Sequence, residues 1–149
     1  MADEPQPGKT GLGPCILIMD DDAVLAEQWR AALAAAGCHV TVSHSATEAV
    51  AVVEQEHIDL VIIDLLVRTP DNPGAEGGLS LLRALRFSTE RKLRTLKIIG
   101  VSGYKPLGKM GLAKQLMTEF GIEGFLSKPF ESSDLVKLAA KTLAGPPRL

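Results

Sequence analysis

Four short apolar runs without polar alternation constrain this chain more than any other feature. Each leads to polar residues: Cys15-Ile16-Leu17-Ile18-Met19 to Asp20-Asp21-Asp22, Leu60-Val61-Ile62-Ile63 to Asp64, Ile98-Ile99-Gly100-Val101 to Ser102, and Phe125-Leu126-Ser127 to Lys128-Pro129. Runs of this kind read as strands buried on both faces of a parallel sheet. Ligands of such sheets bind where the carboxyl ends of the strands emerge. Three carboxylates, a hydroxyl and an ammonium are therefore expected to converge on one edge.

The segments between the runs complete the pattern. Leu25, Trp29 and Leu33 recur at four-residue spacing with Ala32 and Ala36 on the same face, which marks an amphipathic helix. Gly37 suits the left-handed position just past its end, and Val40-Thr41-Val42 reads as a second strand. Ser45 with Glu48 forms a capping box for a helix running to about Glu54. Pro70, Asp71, Asn72, Pro73, Gly74 and the Gly77-Gly78 pair make a loop longer than most strand-to-helix connections. Leu79, Leu82 and Leu85 or Arg86 mark a third helix that fades near Ser88, Lys97 to Val101 a fourth strand, Leu112 to Phe120 a fourth helix, Gly124 to Ser127 a fifth strand and Leu135 to Leu143 a last helix. Five strands alternating with five helices predict an α/β fold with a parallel sheet and right-handed crossovers. The expected organisation is one domain over residues 14–144, with a lead-in over 1–13 and a tail over 145–149.

Charge and composition exclude some partners. Eighteen acidic against sixteen basic residues leave a net charge of −2, which offers no general attraction for nucleic acid or an anionic membrane. No apolar run approaches the roughly 20 residues of a membrane helix, and the acidic start Met1-Ala2-Asp3-Glu4-Pro5 is unlike a secretory signal. Cys15 and Cys38 have neither zinc-pair nor Cys-x-x-Cys spacing and are expected as reduced thiols in a cytoplasmic protein. Arg83, Arg86, Arg91, Lys92, Arg94 and Lys97 read as a solvated basic face, since only Phe87 is interleaved with them. His39, His44 and His57 form no ligand spacing.

The strand-end residues suit phosphoryl chemistry. Clustered carboxylates are most simply held together by a hard cation such as Mg²⁺, which takes oxygen ligands and keeps waters that a phosphoryl oxygen can replace. A carboxylate can also accept phosphate as an acyl phosphate, with ammonium and hydroxyl groups neutralising the transferring oxygens. Asp22 reads as the cap of the first helix.

Taken in order, Ile16-Leu17-Ile18-Met19-Asp20-Asp21, Asp59-Leu60-Val61-Ile62-Ile63-Asp64, Val101-Ser102-Gly103 and Phe125-Leu126-Ser127-Lys128-Pro129-Phe130 resemble the receiver domains of bacterial two-component response regulators, over about Cys15 to Leu143. The resemblance implies a stand-alone receiver like the chemotaxis regulators: a doubly wound, flavodoxin-like (βα)5 fold with strand order 2-1-3-4-5. It implies that Asp64 is the phosphoacceptor, that Asp20, Asp21, Asp64 and the backbone carbonyl of Leu66 hold Mg²⁺ or Mn²⁺, and that Ser102 and Lys128 bind the phosphoryl group. Ser102 and Phe125 would form the switch, and the bond before Pro129 would be cis. The resemblance further implies that Leu66 and Tyr104 flank the path of hydrolytic water; neither is an acid or amide that would orient it, so a long-lived phosphoryl group is expected.

A sensor histidine kinase or histidine phosphotransfer protein would be the donor. The output would pass to a protein target through the fourth helix, fifth strand and fifth helix, or along a relay, with the chain a monomer or a phosphorylation-dependent dimer. Such a protein catalyses only its own phosphorylation and dephosphorylation. The sequence departs from the family after Asp64, where Leu65-Leu66-Val67-Arg68-Thr69-Pro70 replaces the usual Met-Pro and short turn.

Two other readings compete. Asp20-Asp21-Asp22-Ala23-Val24-Leu25 also fits the opening motif of haloacid-dehalogenase-type phosphatases, with Asp20 as nucleophile. That reading leaves Asp64 idle and finds no acidic pair after Lys128. A receiver-like module that is never phosphorylated is the third.

Overall fold

The computed structural model describes residues 13–65, 78–103 and 112–148. All of the expected lead-in but Gly13, all of the long loop but Gly78, Leu66 and Tyr104 lie outside the described residues, and Gly78 opens a helix rather than closing the loop. In chain order the elements are β1 (Cys15–Met19), α1 (Ala23–Ala35), β2 (His39–Ser43), α2 (Ala46–Gln55), β3 (Leu60–Asp64), α3 (Gly78–Arg86), α4 (Arg91–Arg94), β4 (Lys97–Ser102), α5 (Leu112–Phe120), β5 (Gly124–Ser127) and α6 (Ser132–Ala144). The five strands form one parallel sheet in the order β2-β1-β3-β4-β5, the flavodoxin-like arrangement expected. No helix among the described residues is long and apolar enough to cross a membrane.

Side chains alternate across the sheet, and this alternation decides which helices each residue meets. Leu17, Met19, Val61, Ile63 and Ile98 pack with Ala49 and Val53 of α2 and Leu81, Leu82 and Leu85 of α3. Ile16, Ile18, Leu60, Ile62, Ile99 and Val101 pack on the other face with Ala26, Trp29 and Leu33 of α1 and Leu135 and Ala139 of α6. Both faces are covered, which is why the runs in β1 and β3 are continuously apolar.

The helix ends follow local chemistry. Asp22 caps α1 by accepting from Leu25 N at 3.1 Å. The helix ends with Gly37 at φ +99°, its N–H donating to Ala34 O while Cys38 N–H donates to Leu33 O, the paired closure that favours glycine. Ser45 caps α2 through Glu48 N, but Glu48 returns its carboxylate to His44 N at 2.7 Å, one residue before the cap where a capping box would close. At the start of α3, an added Cβ on Gly78 would sit 2.0 Å from the carbonyl oxygen of Asp64, so the helix meets the end of β3 where only glycine fits.

The basic stretch is solvated as expected at Arg83, Arg91, Lys92 and Arg94, but not at Arg86 and Lys97. Residues 91–94 form the short helix α4, and the Arg86 side chain is only 7% exposed. Its guanidinium donates to Phe120 O (2.6 Å), Leu96 O (2.7 Å), Arg94 O (2.9 Å) and Gly121 O (3.1 Å) and lies 3.6 Å from Glu123. Burial, reinforced by Arg148, pulls its pKa down to about 10, against which Glu123 acts. Lys97 is likewise turned inward, its ammonium on the carbonyls of Thr142 in the last turn of α6 and of Gly145 just past it.

Candidate functional site

The sheet alternation delivers three charged groups to one side of the strand ends. Asp20 follows Ile16 and Ile18 by twos, Asp64 follows Leu60 and Ile62, and Lys128 follows Leu126, all residues of the face covered by α1 and α6. Hydrogen bonds continue the ladder beyond the strands, from Asp20 N to Ser43 O (3.2 Å), Leu65 N to Val101 O (2.7 Å) and Lys128 N to Ser102 O (2.8 Å). These fix the backbone from which the charged side chains project.

Lys128 Nζ lies between two carboxylates, 3.2 Å from Asp20 Oδ2 and 3.4 Å from Asp64 Oδ2. Asp20 is fully buried and Asp64 is 7% exposed, whereas Asp21 is exposed. The second oxygen of Asp20 accepts from Asp22 N at 2.9 Å. One carboxylate oxygen from each of Asp20, Asp21 and Asp64 lies within 4.8 Å of the others. An all-oxygen donor set of this charge and spacing fits a hard divalent cation such as Mg²⁺. Leu66, whose backbone carbonyl was expected to join the set, lies outside the described residues.

The crowding of these carboxylates strains the electrostatics of the cluster. Burial first, and the Asp20 carboxylate second, push Asp64 up to about 6 against the pull of Lys128. Burial acts on the Lys128 ammonium in the opposite sense, but Asp64 and Asp20 outweigh it and hold Lys128 above its ordinary value.

The folded protein thus binds the Asp64 proton more tightly than the unfolded chain. The stability that proton confers is fully present below pH 3.8 and is lost as pH rises through about 6. A cation that replaces the proton should therefore raise the thermal midpoint strongly at pH 7.5 and much less at pH 5. Thermal unfolding in Mg²⁺ and in EDTA at the two pH values checks this; equal shifts, or none at pH 7.5, would contradict it.

The remaining expected residues surround this cluster. Ser102 ends β4 and is buried. Phe125 is half-buried and packs, like Met117 and Phe120 of α5, against the core on the α2 and α3 face. The Lys128–Pro129 peptide bond is cis. Tyr104 lies outside the described residues. Both cysteines are free, Cys15 buried and Cys38 half-buried.

Two neighbours of the site escaped the sequence reading. His44 Nδ1 lies 3.1 Å from Asp20 O, a contact in which only the imidazole can donate. Trp29, read only as a member of the inward face of α1, carries the Lys128 ammonium 5.4 Å from its ring centroid and stacks on Phe130. A cavity of about 770 Å³ opens at the opposite edge of the sheet and is lined by none of the strand-end residues. Lys92 and Lys97 in its wall already bond to carbonyls.

Residues 16–140 match the sequence profile of the response regulator receiver domain. The chain is similar to a transcription factor of Candida albicans, Skn7, with 28% identity over 131 residues. That match covers 88% of this chain and 21% of the relative, so the chain spans about a fifth of the relative's length.

Among solved structures it is similar to a CheY-like response regulator receiver domain protein from Methanospirillum hungatei, with 27% identity and a TM-score of 0.69 over 88% of this chain and 94% of the other. It also shares the fold of the chemotaxis response regulator CheY4 of Vibrio cholerae, with 22% identity and a TM-score of 0.70 over 87% of this chain and 98% of the other.

Proposed function

We propose, from the premise that this chain belongs to the response regulator receiver domain family, that it accepts a phosphoryl group on Asp64 and relays the change to another protein. The observation that carries this reading is the Lys128 ammonium held between the buried Asp20 and Asp64 carboxylates, with Asp21 beside them.

A carboxylate oxygen of Asp64 attacks the phosphorus of a phosphohistidine in a sensor kinase or phosphotransfer protein. An O–P bond forms, the N–P bond breaks and the electron pair leaves on the imidazole nitrogen. Lys128 gives up its hold on the Asp64 oxygen and pairs with the phosphoryl group instead. The Ser102 hydroxyl donates to a second phosphoryl oxygen, drawing the end of β4 toward the site. Asp20, Asp21 and Asp64, with the Leu66 carbonyl that the family resemblance adds, would hold Mg²⁺ or Mn²⁺, which would supply the further positive charge that the transferring oxygens need. Asp20 is poorly suited to be the nucleophile of a phosphatase, because it is fully buried and its two oxygens already accept from Asp22 N and Lys128.

The output follows from the position of Ser102. Movement at the end of β4 reaches the surface formed by α5, β5 and α6 through Phe125, and a protein target in the cytoplasm reads that surface. Incubation with a small acyl phosphate and Mg²⁺, followed by reductive trapping and peptide mapping, tests the proposal. Label on Asp64 supports it. Label on Asp20 points to a phosphatase instead, and no label to a module that binds without being phosphorylated.

A further inference from the structure

Trp29 is the chain's one tryptophan and sits at the foot of the site. It is 2% exposed in the core between the sheet, α1 and α6. Two alternate residues of one short segment meet it: the Lys128 ammonium, 5.4 Å from its ring centroid, and the Phe130 ring, stacked at 5.4 Å with 19° between the planes. The same ammonium makes the two contacts to Asp20 and Asp64.

Resting on the phosphoacceptor reading, we propose that Trp29 is a positioning residue for phosphoryl transfer: its indole face holds the Lys128 ammonium at the carboxylates, so that the cation is in place before the phosphoryl group arrives.

A lysine ammonium is a point charge on a flexible four-carbon stem, and two carboxylates fix its position but not the path of the stem. Asp20 and Asp64 both change their electrostatic partners when a cation or phosphoryl group enters. The indole does not, because its attraction for the ammonium arises from the fixed charge distribution of the ring. Phe130 stacks on that indole and restrains the segment that carries Lys128. The ring also lies in a largely desolvated setting, where such a contact is at its strongest. A leucine there would fill much of the core volume but offer the ammonium no such surface, while a phenylalanine would offer a weaker one.

Four full-length proteins test the proposal: the unaltered chain, Trp29→Phe, Trp29→Leu and Leu33→Ala. The last weakens the same core through α1 without belonging to the site. Nuclear magnetic resonance of the metal-free proteins reads the placement directly. Ring-current shifts should move the ε-methylene protons of Lys128 upfield in the unaltered chain, less in Trp29→Phe and not at all in Trp29→Leu. Unshifted protons in the unaltered chain overturn the proposal whether or not the protein takes up phosphate.

Labelling by a small acyl phosphate with saturating Mg²⁺ reads the consequence. The maximal rate should fall about 10-fold in Trp29→Leu, with half-saturation by the donor nearly unchanged, should recover in part in Trp29→Phe, and should stay near the original in Leu33→Ala. Equal losses in Trp29→Leu and Leu33→Ala, or an undiminished maximal rate in Trp29→Leu, overturn the positioning role while leaving the phosphoacceptor reading intact. An unaltered chain that shows the ring-current shift but takes no label at Asp64 overturns the phosphoacceptor reading, and the role in transfer with it.

Discussion

Asp64→Asn is expected to take up no phosphoryl group and, in EDTA at pH 7, to unfold at a higher temperature than the unaltered protein. An amide has no anionic oxygen to attack phosphorus, so labelling falls to background. The stability change has a separate origin. The gap between an exposed aspartate's 3.8 and the value of about 6 at Asp64 corresponds to about 3 kcal/mol for holding the anion at pH 7. Asparagine removes that cost and keeps an oxygen for Lys128, with a net gain of about 2 kcal/mol once the weaker contact to the ammonium is allowed for. Saturating Mg²⁺ should narrow the difference, because it stabilises the protein that has the carboxylate. Calorimetry with and without the cation checks both statements; an Asp64→Asn protein that melts lower in EDTA would show that the carboxylate is not a source of strain.

Lys128→Ala is expected to do the reverse to stability and nearly as much to transfer. The ammonium is 21% exposed on the side chain and separates a fully buried carboxylate from one that is 9% exposed. Removing it leaves two like charges facing each other, at a cost of about 3 kcal/mol in EDTA at pH 7.5. Much of that loss should return at pH 5, where Asp64 takes a proton. The labelling rate should fall on the order of 100-fold even in saturating Mg²⁺, since one cation of the transferring group's cradle is gone. Urea unfolding at the two pH values and timed labelling measure these effects. A loss of stability below about 0.5 kcal/mol would mean that the ion pairs are no more than surface contacts.

The sheet and the charged cluster were legible for one reason. An apolar run buried on both faces needs no tertiary information to be recognised, and its last residue marks the edge where ligands bind. Asp20, Asp64 and Lys128 therefore converge as expected from strand ends alone. Gly37 was legible because a left-handed residue after a helix is a local requirement.

The burial of Arg86 was only half legible, as an alternative to Leu85 in the helix pattern, because its partners Phe120 and Gly121 are remote in sequence and carbonyls leave no mark in residue type. The return of Glu48 to His44 was a matter of side-chain reach. Trp29 was correctly read as facing inward. That Lys128 would lie over it depends on the face to which the crossover assigns α1 and on the alternation along β5, neither of which periodicity along one helix reports.

The buried Arg86 has a mechanical meaning. It ties the end of α4, the residue before β4 and the carboxyl end of α5 to one planar group at the end of the sheet away from the acidic cluster. If phosphorylation pulls on Ser102 as proposed, the pull would work against this anchor as a lever works against its hinge, with little travel near Lys97 and more toward the far end of β4. On that proposal the output surface would have a fixed end and a free end, and a partner would gain most information by gripping the free one.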